Sequence, residues 1–270
     1  MEWGFLGLTK DSLQLDFSLV KQKIIKFILR HVKKAEAEGV VIGLSGGVDS
    51  STVASLCVSA LGADKVLGLI MPSTTTSQED INDAKLIAEN LGIKYEVINI
   101  SPIEEKFLAS CSHQDLSNKV AIGNIKPRIR MTILYYHANL LNRLVVGTGN
   151  KTEILVGYYT KYGDGGVDIL PLGGLYKTQV RWLAEYLSVP NHIIWKTPTA
   201  GLWAGQTDEE ELGIKYDLLD LILYGLIDLR MKPQEVAENI GVQIETVNRV
   251  LKMIKSSEHK RKLIPVANIK

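Results

Sequence analysis

Along the first half of the chain, stretches with the hydrophobic spacing of a helix alternate with short runs that are apolar throughout. Over residues 16–37, apolar side chains recur on one helix face with lysines and glutamates between them, and Gly39 follows. This pattern predicts an amphipathic helix. Residues 40–44, VVIGL, form a short apolar run rich in β-branched side chains, which predicts a buried strand.

The same alternation continues to about residue 148. Apolar runs predict strands over 65–70, 95–100 and 143–148, and helical periodicity predicts helices over 50–61, 79–91 and 119–142. Strands that are apolar throughout and take turns with helices are typical of a parallel sheet with helices on both faces. We therefore predict the α/β class, with a Rossmann-like, doubly wound parallel sheet.

The second half of the chain has a different character. After Gly157 the periodicity fades, and TKYGDGGVDILPLGGLYK is too rich in glycine for a regular element, which predicts a long functional loop. From Thr207 the chain is helical again. Because no repeat or linker-like tract divides the sequence, we predict one domain over residues 1–270 with a helical C-terminal segment at about 207–262.

Composition and charge narrow the functional classes. Hydrophobic residues make up 46% of the chain, and 31 Lys and Arg against 30 Asp and Glu give a net charge of +1. This balance argues against a nucleic-acid binder with a broad basic face. No apolar run reaches the roughly 20 residues that span a bilayer, the amino terminus shows no secretory signal, and Cys57 and Cys111 form no CxxC pair. We expect no nucleic-acid or membrane partner and a cytoplasmic location.

A glycine-bearing turn lies between the strand at 40–44 and the next helix. Backbone N–H groups at such a junction, with serine hydroxyls, form a phosphate cradle. The turn lacks the lysine of GxxxxGK[ST] and the spacing of GxGxxG. A plain turn with Asp49 or Ser50 as the helix N-cap is the structural alternative. The candidate phosphate-binding residues are Gly43, Leu44, Ser45, Gly46, Gly47, Val48, Asp49 and Ser50.

This turn and several further stretches resemble a known family. SGGVDS matches the SGGxDS loop of the ATP pyrophosphatases that adenylylate their substrates, which have the adenine nucleotide alpha-hydrolase type of fold. GNIKPRIRMTILYYHAN, GTGNKTE, GYYTKYGDGGVDILPLGGLYKTQVR, PTAGLW with GQTDEEELG, and SEHKR resemble the ammonia-dependent NAD synthetases, over about residues 20–262. The resemblance implies amidation of deamido-NAD to NAD with ammonia through a deamido-NAD adenylate, with ATP split to AMP and pyrophosphate.

The resemblance also implies roles for individual residues. Asp49 and Lys177 would be catalytic, with Lys177 balancing charge on the departing pyrophosphate, and Asp49 with Glu153 would bind Mg²⁺. Thr148, Lys177 and Thr199 would join the loop at the ATP site. The implied deamido-NAD residues are Arg128, Lys161, Asp168, His259 and Lys260.

Some of these positions also have ordinary structural explanations. Arg128 and Arg130 are two apart on a predicted helix and cannot share a face. Lys161 and His259 each suit a solvated surface. The adjacent tyrosines 135 and 136 suit the core or a subunit interface. Since their helix resembles the dimer-forming region of the family, we predict a homodimer.

Two motifs depart from the common bacterial forms. The chain has GTGNKTE where many bacterial relatives have GTDHAAE, and PTAGL where they have PTADL. Contacts near Asn150 and Gly201 therefore stay unassigned, as do adenosine contacts over residues 70–80.

Two other functions match parts of the sequence. Another SGGxDS enzyme, such as one for tRNA thiolation, calls for redox-active or metal-binding cysteines and a basic surface. Residues 231–254 resemble a helix-turn-helix with Thr246, Asn248 and Arg249 on its second helix, as in a nucleotide-sensing DNA-binding regulator. Two packed helices that place a substrate-binding tail explain the same segment. No glutamine amidase pattern is present, so free ammonia is the expected nitrogen source, with a separate glutaminase partner left open.

Overall fold

The computed structural model describes residues 7–112, 115, 117–203 and 205–269. Residues 1–6, at the start of the stretch that shows no secretory signal, lie outside this part, as does residue 270 at the end of the predicted domain. Among the described residues, no helix is long and apolar enough to cross a membrane.

Four parallel strands form one sheet in the order β3-β2-β1-β4. The strands are β1 Gly39–Gly43, β2 Val66–Ile70, β3 Lys94–Val97 and β4 Arg143–Val146. In the register, Ile42 of β1 lies opposite Gly68 of β2 and Val146 of β4. The order of the strands reverses between β1 and β4, and in such sheets the crevice at the carboxyl ends of these two strands is where ligands bind.

Both faces of the sheet are covered by helices, as predicted. The helices are α1 Phe17–Lys34, α2 Val48–Leu61, α3 Gln78–Asn90, α4 Ser101–Ser110, α5 Lys119–Gly123, α6 Ile125–Leu140, α7 Lys151–Val156, α8 Lys177–Tyr186, α9 Asn191–Ile194, α10 Asp208–Leu212, α11 Tyr216–Leu223, α12 Pro233–Ile240, α13 Ile244–Ser256 and α14 Glu258–Arg261. Val40 and Ile42 of β1 pack with α1, α2, α3 and α8, whereas Val41 packs with α6 on the other face. The alternation of side chains along the strand explains this division.

A separate apolar core holds the C-terminal helices together. Buried residues of α11, α12 and α13, among them Leu219, Val236 and Val250, pack against Tyr176 and the amino-terminal Leu13. The predicted helical C-terminal segment is thereby confirmed. Its attachment to α7 and the residues before α8 places these helices directly behind the crevice.

Two differences from the predicted elements concern residues 119–142 and the start of α8. The helix predicted over 119–142 is two helices, α5 and α6, with a break at Asn124. Pro127 has no backbone N–H and fits only the first turn of a helix, so a new helix begins just before it. Residues 158–176 contain no helix or strand, as predicted, but α8 begins directly after them in a stretch that showed no recognised periodicity.

Candidate functional site

A cleft of about 670 Å³ lies at the carboxyl ends of β1 and β4. The turn after β1 forms one wall, and the first residues after β4 form another. Helix α2 begins at Val48, two residues earlier than predicted, so Asp49 lies in its first turn. The unpaired N–H groups at the start of α2 therefore face the region where phosphate groups would bind.

Hydrogen bonds within the turn hold its backbone in a fixed shape. The Ser45 N–H donates to the Ser50 hydroxyl at 3.3 Å, and the two hydroxyl oxygens lie 3.1 Å apart. Ser50 and Ser51 both donate to the carbonyl of Gly47, at 3.1 and 2.8 Å. These bonds hold the cradle in one conformation, which lowers the entropic cost of binding a ligand.

Gly46 is required by both conformation and space. Its φ is +78°, and a Cβ atom there would lie 2.3 Å from the carbonyl oxygen of Asp80 in α3. Gly47 has an ordinary φ of −95°, and a Cβ atom there would meet only the Ser45 hydroxyl, at 3.4 Å. The first glycine thus lets the turn pack against α3, whereas the second leaves the cleft side of the turn open.

Three charged side chains predicted to act together meet in the cleft. The Nζ atom of Lys177 lies 2.5 Å from Oδ2 of Asp49 and 3.2 Å from Oε1 of Glu153. Asn150 fixes both carboxylates: its side-chain amide donates to Oδ1 of Asp49 at 3.0 Å, and its backbone N–H donates to Oε2 of Glu153 at 3.3 Å. Asn150 was left unassigned from the sequence, and this contact gives it a role.

Burial shifts the ionisation of this cluster. Desolvation raises the pKa of Glu153, and the nearby ammonium of Lys177 opposes that rise. Desolvation alone would lower the pKa of Lys177, but Asp49 and Glu153 outweigh it, so its pKa lies above the ordinary value. Lys177 is therefore a permanent cation at neutral pH.

Asp208 adds a third carboxylate to the cleft wall, and the sequence reasoning missed it. It is buried, and its Oδ2 accepts a hydrogen bond from the Tyr216 hydroxyl at 3.0 Å. Its Oδ1 is buried without a partner among the described residues. Burial raises the pKa of Asp208 as well, and Lys177 counteracts this. Asp208 is one of four acids in GQTDEEELG, and the sequence alone does not show which of them is buried.

The cluster suits a magnesium ion. Three carboxylates surround one ammonium, and all the donors are the hard oxygen ligands that Mg²⁺ prefers. Within the described ranges, no three His, Cys, Asp or Glu side chains form a complete metal site. Asp49 and Glu153 would therefore supply two ligands, and phosphate and water oxygens would supply the rest.

The other predicted ATP residues also lie along the cleft. Thr148 follows β4 and lines the cleft, as does Thr199 on the opposite wall. The Thr199 hydroxyl donates to the Gln206 carbonyl at 2.7 Å, which closes the loop between them. Lys126 was not assigned from the sequence. It donates to the Leu202 carbonyl at 2.7 Å and to the Thr75 hydroxyl at 3.3 Å. This buried lysine joins the two loops that border the cleft.

Of the five predicted deamido-NAD residues, only Lys260 lines this cleft. Its ammonium donates to the carbonyl oxygens of residues 157 and 159, at 2.7 and 2.6 Å. Arg128, Lys161 and His259 lie together beside it, since Arg128 donates to the Lys161 carbonyl at 3.4 Å and Lys161 to the His259 carbonyl at 2.8 Å. Asp168 lies apart from them and accepts from the Val145 N–H at 2.7 Å and the Tyr135 hydroxyl at 3.0 Å.

The two arginines of α6 point in different directions, as their spacing requires. Arg128 is exposed, whereas Arg130 lines the cleft and donates from Nε to the Met71 carbonyl at 2.9 Å. Arg130 is thus a further cleft residue that the sequence reasoning did not assign. The i, i+2 spacing indicated that the two arginines do not share a face, but it did not show that Arg130 lines the cleft.

Comparison with known proteins places this geometry in context. A model of the family described as NAD synthase matches residues 20–264. The chain is 53% identical over 251 residues to the NH(3)-dependent NAD(+) synthetase of Methanocaldococcus jannaschii, which covers 93% of this chain and 96% of that protein.

Solved structures give the same fold. The structure of NMN synthetase from Francisella tularensis matches with a TM-score of 0.84 and 39% identity, covering 95% of this chain and 100% of that one. The glutamine-dependent NAD+ synthetase from Acinetobacter baumannii matches with a TM-score of 0.64 and 30% identity, covering 94% of this chain but only 48% of that one.

Proposed function

Because the chain belongs to the NAD synthase family, we propose that it is a ligase that amidates deamido-NAD to NAD with ammonia and splits ATP to AMP and pyrophosphate. The observation that carries this proposal is the meeting of Lys177 with Asp49 and Glu153 directly beside the phosphate cradle. An anion-binding helix start, a fixed cation and two carboxylates are the groups that pyrophosphate release requires.

In the first step, the nicotinate carboxylate of deamido-NAD attacks the α-phosphorus of ATP, and pyrophosphate leaves. The N–H groups at the start of α2 and the hydroxyl of Ser45 would hold the leaving group. Lys177 neutralises the negative charge that builds on the leaving pyrophosphate. Because its ammonium is a point charge, this interaction does not need a fixed angle. Mg²⁺, held by Asp49 and Glu153 when bound, would supply further positive charge beside the phosphates.

In the second step, ammonia attacks the carbonyl carbon of the adenylate, and AMP leaves with one oxygen of the original carboxylate. The nitrogen must lose a proton as the amide forms. Asp208 is a buried carboxylate in the cleft wall, and its burial raises its pKa. These are the properties of a group that accepts this proton, so we assign Asp208 that role.

The deamido-NAD residues and the homodimer stay predictions with structural support. Tyr136 and Leu140 of α6 are 64% and 67% exposed, and Leu141 beside them is also exposed. An apolar patch of this kind fits contact with a second copy of the chain. The cluster of Arg128, Lys161 and His259 begins on the same helix, where it would bind a charged dinucleotide close to that interface.

The descriptions of the matched relatives support one source of nitrogen. The Methanocaldococcus jannaschii relative, 96% of which is matched by this chain, is described as NH(3)-dependent. We propose free ammonia as the direct substrate, and a separate glutaminase partner stays a prediction. A cytoplasmic location likewise stays a prediction.

One alternative substrate has a specific observation in its favour. The Francisella tularensis relative that matches over its full length is an NMN synthetase, which suggests a mononucleotide acceptor with the same nicotinate carboxylate. By contrast, Arg249, one of the three residues on the second helix that a DNA-binding function would use, donates to the Gly213 carbonyl at 2.6 Å. The helix-turn-helix segment is therefore explained by packing.

An assay with defined substrates tests the proposed function. The chain is incubated with ATP, Mg²⁺ and ammonium, and with either deamido-NAD or the corresponding nicotinate mononucleotide; glutamine replaces ammonium in parallel. We expect NAD and AMP in equal amounts from deamido-NAD with ammonium, and little product with glutamine. Faster amidation of the mononucleotide would assign the chain to the alternative. No amide from either acceptor, in a folded protein that binds ATP, would refute the proposed function.

A further inference from the structure

A buried polar junction lies behind the cleft and has no contact with it. Asp220 of α11 is completely buried. Its Oδ1 accepts a hydrogen bond from the Thr152 hydroxyl at 2.5 Å, and its Oδ2 accepts from the Thr178 N–H at 2.7 Å. The Thr152 oxygen in turn accepts from the Lys177 N–H at 3.0 Å. We call this set the Thr152–Asp220–Thr178 junction.

The junction joins α7 and α8, which carry Glu153 and Lys177 of the catalytic cluster. Thr152 immediately precedes Glu153 on α7, and Thr178 immediately follows Lys177 at the start of α8. The Thr178 N–H donates directly to Asp220, whereas the Lys177 N–H donates to the Thr152 hydroxyl, which in turn donates to Asp220. These two N–H groups begin α8 and have no partner within their own helix. A carboxylate in this position also interacts favourably with the helix dipole.

An ionised carboxylate in the core lowers the stability of the fold unless hydrogen bonds stabilise its charge. Burial raises the pKa of Asp220 to about 6, and the hydrogen bonds from Thr152 and Thr178 limit that rise. At neutral pH the group is therefore ionised in spite of complete burial. A neutral core residue would avoid this cost, so the junction trades stability for a fixed arrangement of α7 and α8.

We propose that Asp220 is a positioning residue for the ligase reaction, and that it sets the separation between Glu153 and Lys177 by tying Thr152 to the start of α8. This inference rests on the proposed function, since it concerns the same catalytic cluster. Asp220 itself does not line the cleft. Its effect reaches the cleft through the backbone of the neighbouring residues, where a displacement of about 1 Å is enough to cost 10²-fold in rate.

The test compares variants that change the junction with a matched variant elsewhere. Asp220→Asn carries one acceptor oxygen instead of two, and Thr152→Val removes the bridging hydroxyl, whereas Thr152→Ser keeps it. Thr52→Val is the control, because Thr52 is equally buried and bonds only to the Val48 carbonyl within its own helix. Each variant is measured for thermal stability, kcat, KM for deamido-NAD, and the Mg²⁺ concentration that gives half-maximal ATP binding in calorimetry.

We expect Asp220→Asn and Thr152→Val to lower kcat at least fivefold and to raise the Mg²⁺ requirement for ATP binding severalfold, with KM for deamido-NAD unchanged. Thr152→Ser should behave as the native chain, and Thr52→Val should lose stability only. The inference is wrong if Thr152→Val keeps the native kcat and Mg²⁺ requirement, or if Thr52→Val shows the same losses.

The binding measurement separates this inference from the proposed function. A native chain that binds ATP with Mg²⁺ but makes no NAD would refute the proposed function, while the Mg²⁺ requirements of the variants would still decide the role of the junction. If Asp220→Asn does not fold, the comparison of Thr152→Val with Thr152→Ser gives the answer, because both retain the buried carboxylate.

Discussion

At the level of single residues, the balance of charge around Lys177 governs the chemistry of the cleft. Asp49 and Glu153 contact its ammonium, and Asp208 lies close enough to affect its ionisation. One cation among three carboxylates leaves the site short of positive charge. ATP brings further negative charge. The loss of Lys177 would therefore slow the reaction most at the step in which pyrophosphate leaves.

Replacing Lys177 by Met tests this argument. We expect Lys177→Met to lower kcat at least 100-fold, since a charge that stabilises the leaving group is lost. Lys151→Met is the matched control, because Lys151 pairs with Asp228 at 2.7 Å and does not line the cleft. Steady-state rates of AMP release measure both. Similar losses in the two variants would mean that Lys177 has no special role.

The ionisation of Asp220 predicts how stability depends on pH. Its pKa is about 6 in the folded chain against an ordinary value of 3.8, because burial disfavours the charged form. The folded state therefore holds this proton more tightly than the unfolded state. The contribution of Asp220 to the free energy of unfolding is fully present below about pH 4 and is lost as the pH rises through 6.

Asp220→Asn removes this dependence. As the pH rises from 4 to 7.5, the free energy of unfolding of the variant should increase by on the order of 3 kcal/mol relative to that of the native chain. This figure follows from the difference between a pKa of about 6 in the folded chain and the ordinary value of 3.8. Urea unfolding across this pH range measures the difference. A difference that does not change with pH would show that Asp220 ionises at an ordinary pKa in the folded chain.

At the level of elements, the turn after β1 depends on its packing against α3. The two neighbouring glycines make different demands, which gives a matched pair of variants. Gly46→Ala forces a side chain into the left-handed region and against the Asp80 carbonyl, whereas Gly47→Ala meets only a hydroxyl at ordinary distance.

We expect Gly46→Ala to lower the free energy of unfolding by about 2 kcal/mol or more and to weaken ATP binding. Gly47→Ala should stay within about 1 kcal/mol of the native stability and still weaken ATP binding, because its methyl group enters the phosphate cradle. Urea unfolding and ATP titration measure these effects. Equal stability of the two variants would contradict the packing argument.

The strands and the phosphate turn could be predicted because their signals are local. A buried apolar run followed by SGGVDS is contiguous, and β1, β2 and β4 lie within two residues of their predicted bounds. The break at Asn124 has a local cause in Pro127, but a tertiary contact also holds it, and the start of α8 is held by tertiary contacts as well. Asn124 accepts a hydrogen bond from the Thr160 hydroxyl at 2.5 Å, and no local pattern reveals that contact.

The same distinction applies to the site. Asp49, Glu153 and Lys177 each belong to a motif, so the resemblance identified them, and the structure brings them together. Asp208 and Lys126 act through residues far away in sequence, such as the contact of Lys126 with the Leu202 carbonyl. Their roles follow from burial and from the bonds they make, neither of which is visible along the chain.

At the level of the whole molecule, the exposed apolar patch on α6 predicts the state of assembly. If it forms a homodimer interface, charges placed there should separate the subunits. We expect the double variant Tyr136→Glu, Leu140→Glu to run as a monomer in light scattering at concentrations where the native chain is a dimer. Leu19→Glu is the control, since Leu19 is 46% exposed on α1, away from this patch.

Two results would contradict the predicted dimer. A native chain that is monomeric at all concentrations would refute it outright. A double variant that remains dimeric, while Leu19→Glu dissociates, would place the interface on α1 instead. Loss of deamido-NAD binding together with dimerisation would support the placement of Arg128, Lys161 and His259 near the interface.

The central claim is that the substrate carboxylate is activated by transfer of AMP, and isotope labelling tests it most directly. Deamido-NAD labelled with ¹⁸O in both oxygens of the nicotinate carboxylate is converted with ATP and ammonium, and the products are weighed by mass spectrometry. Attack on the α-phosphorus predicts one ¹⁸O in every AMP and one in every amide, with none in pyrophosphate. Label in inorganic phosphate or pyrophosphate, or AMP without label, would contradict the adenylate and with it the assignment of the cleft.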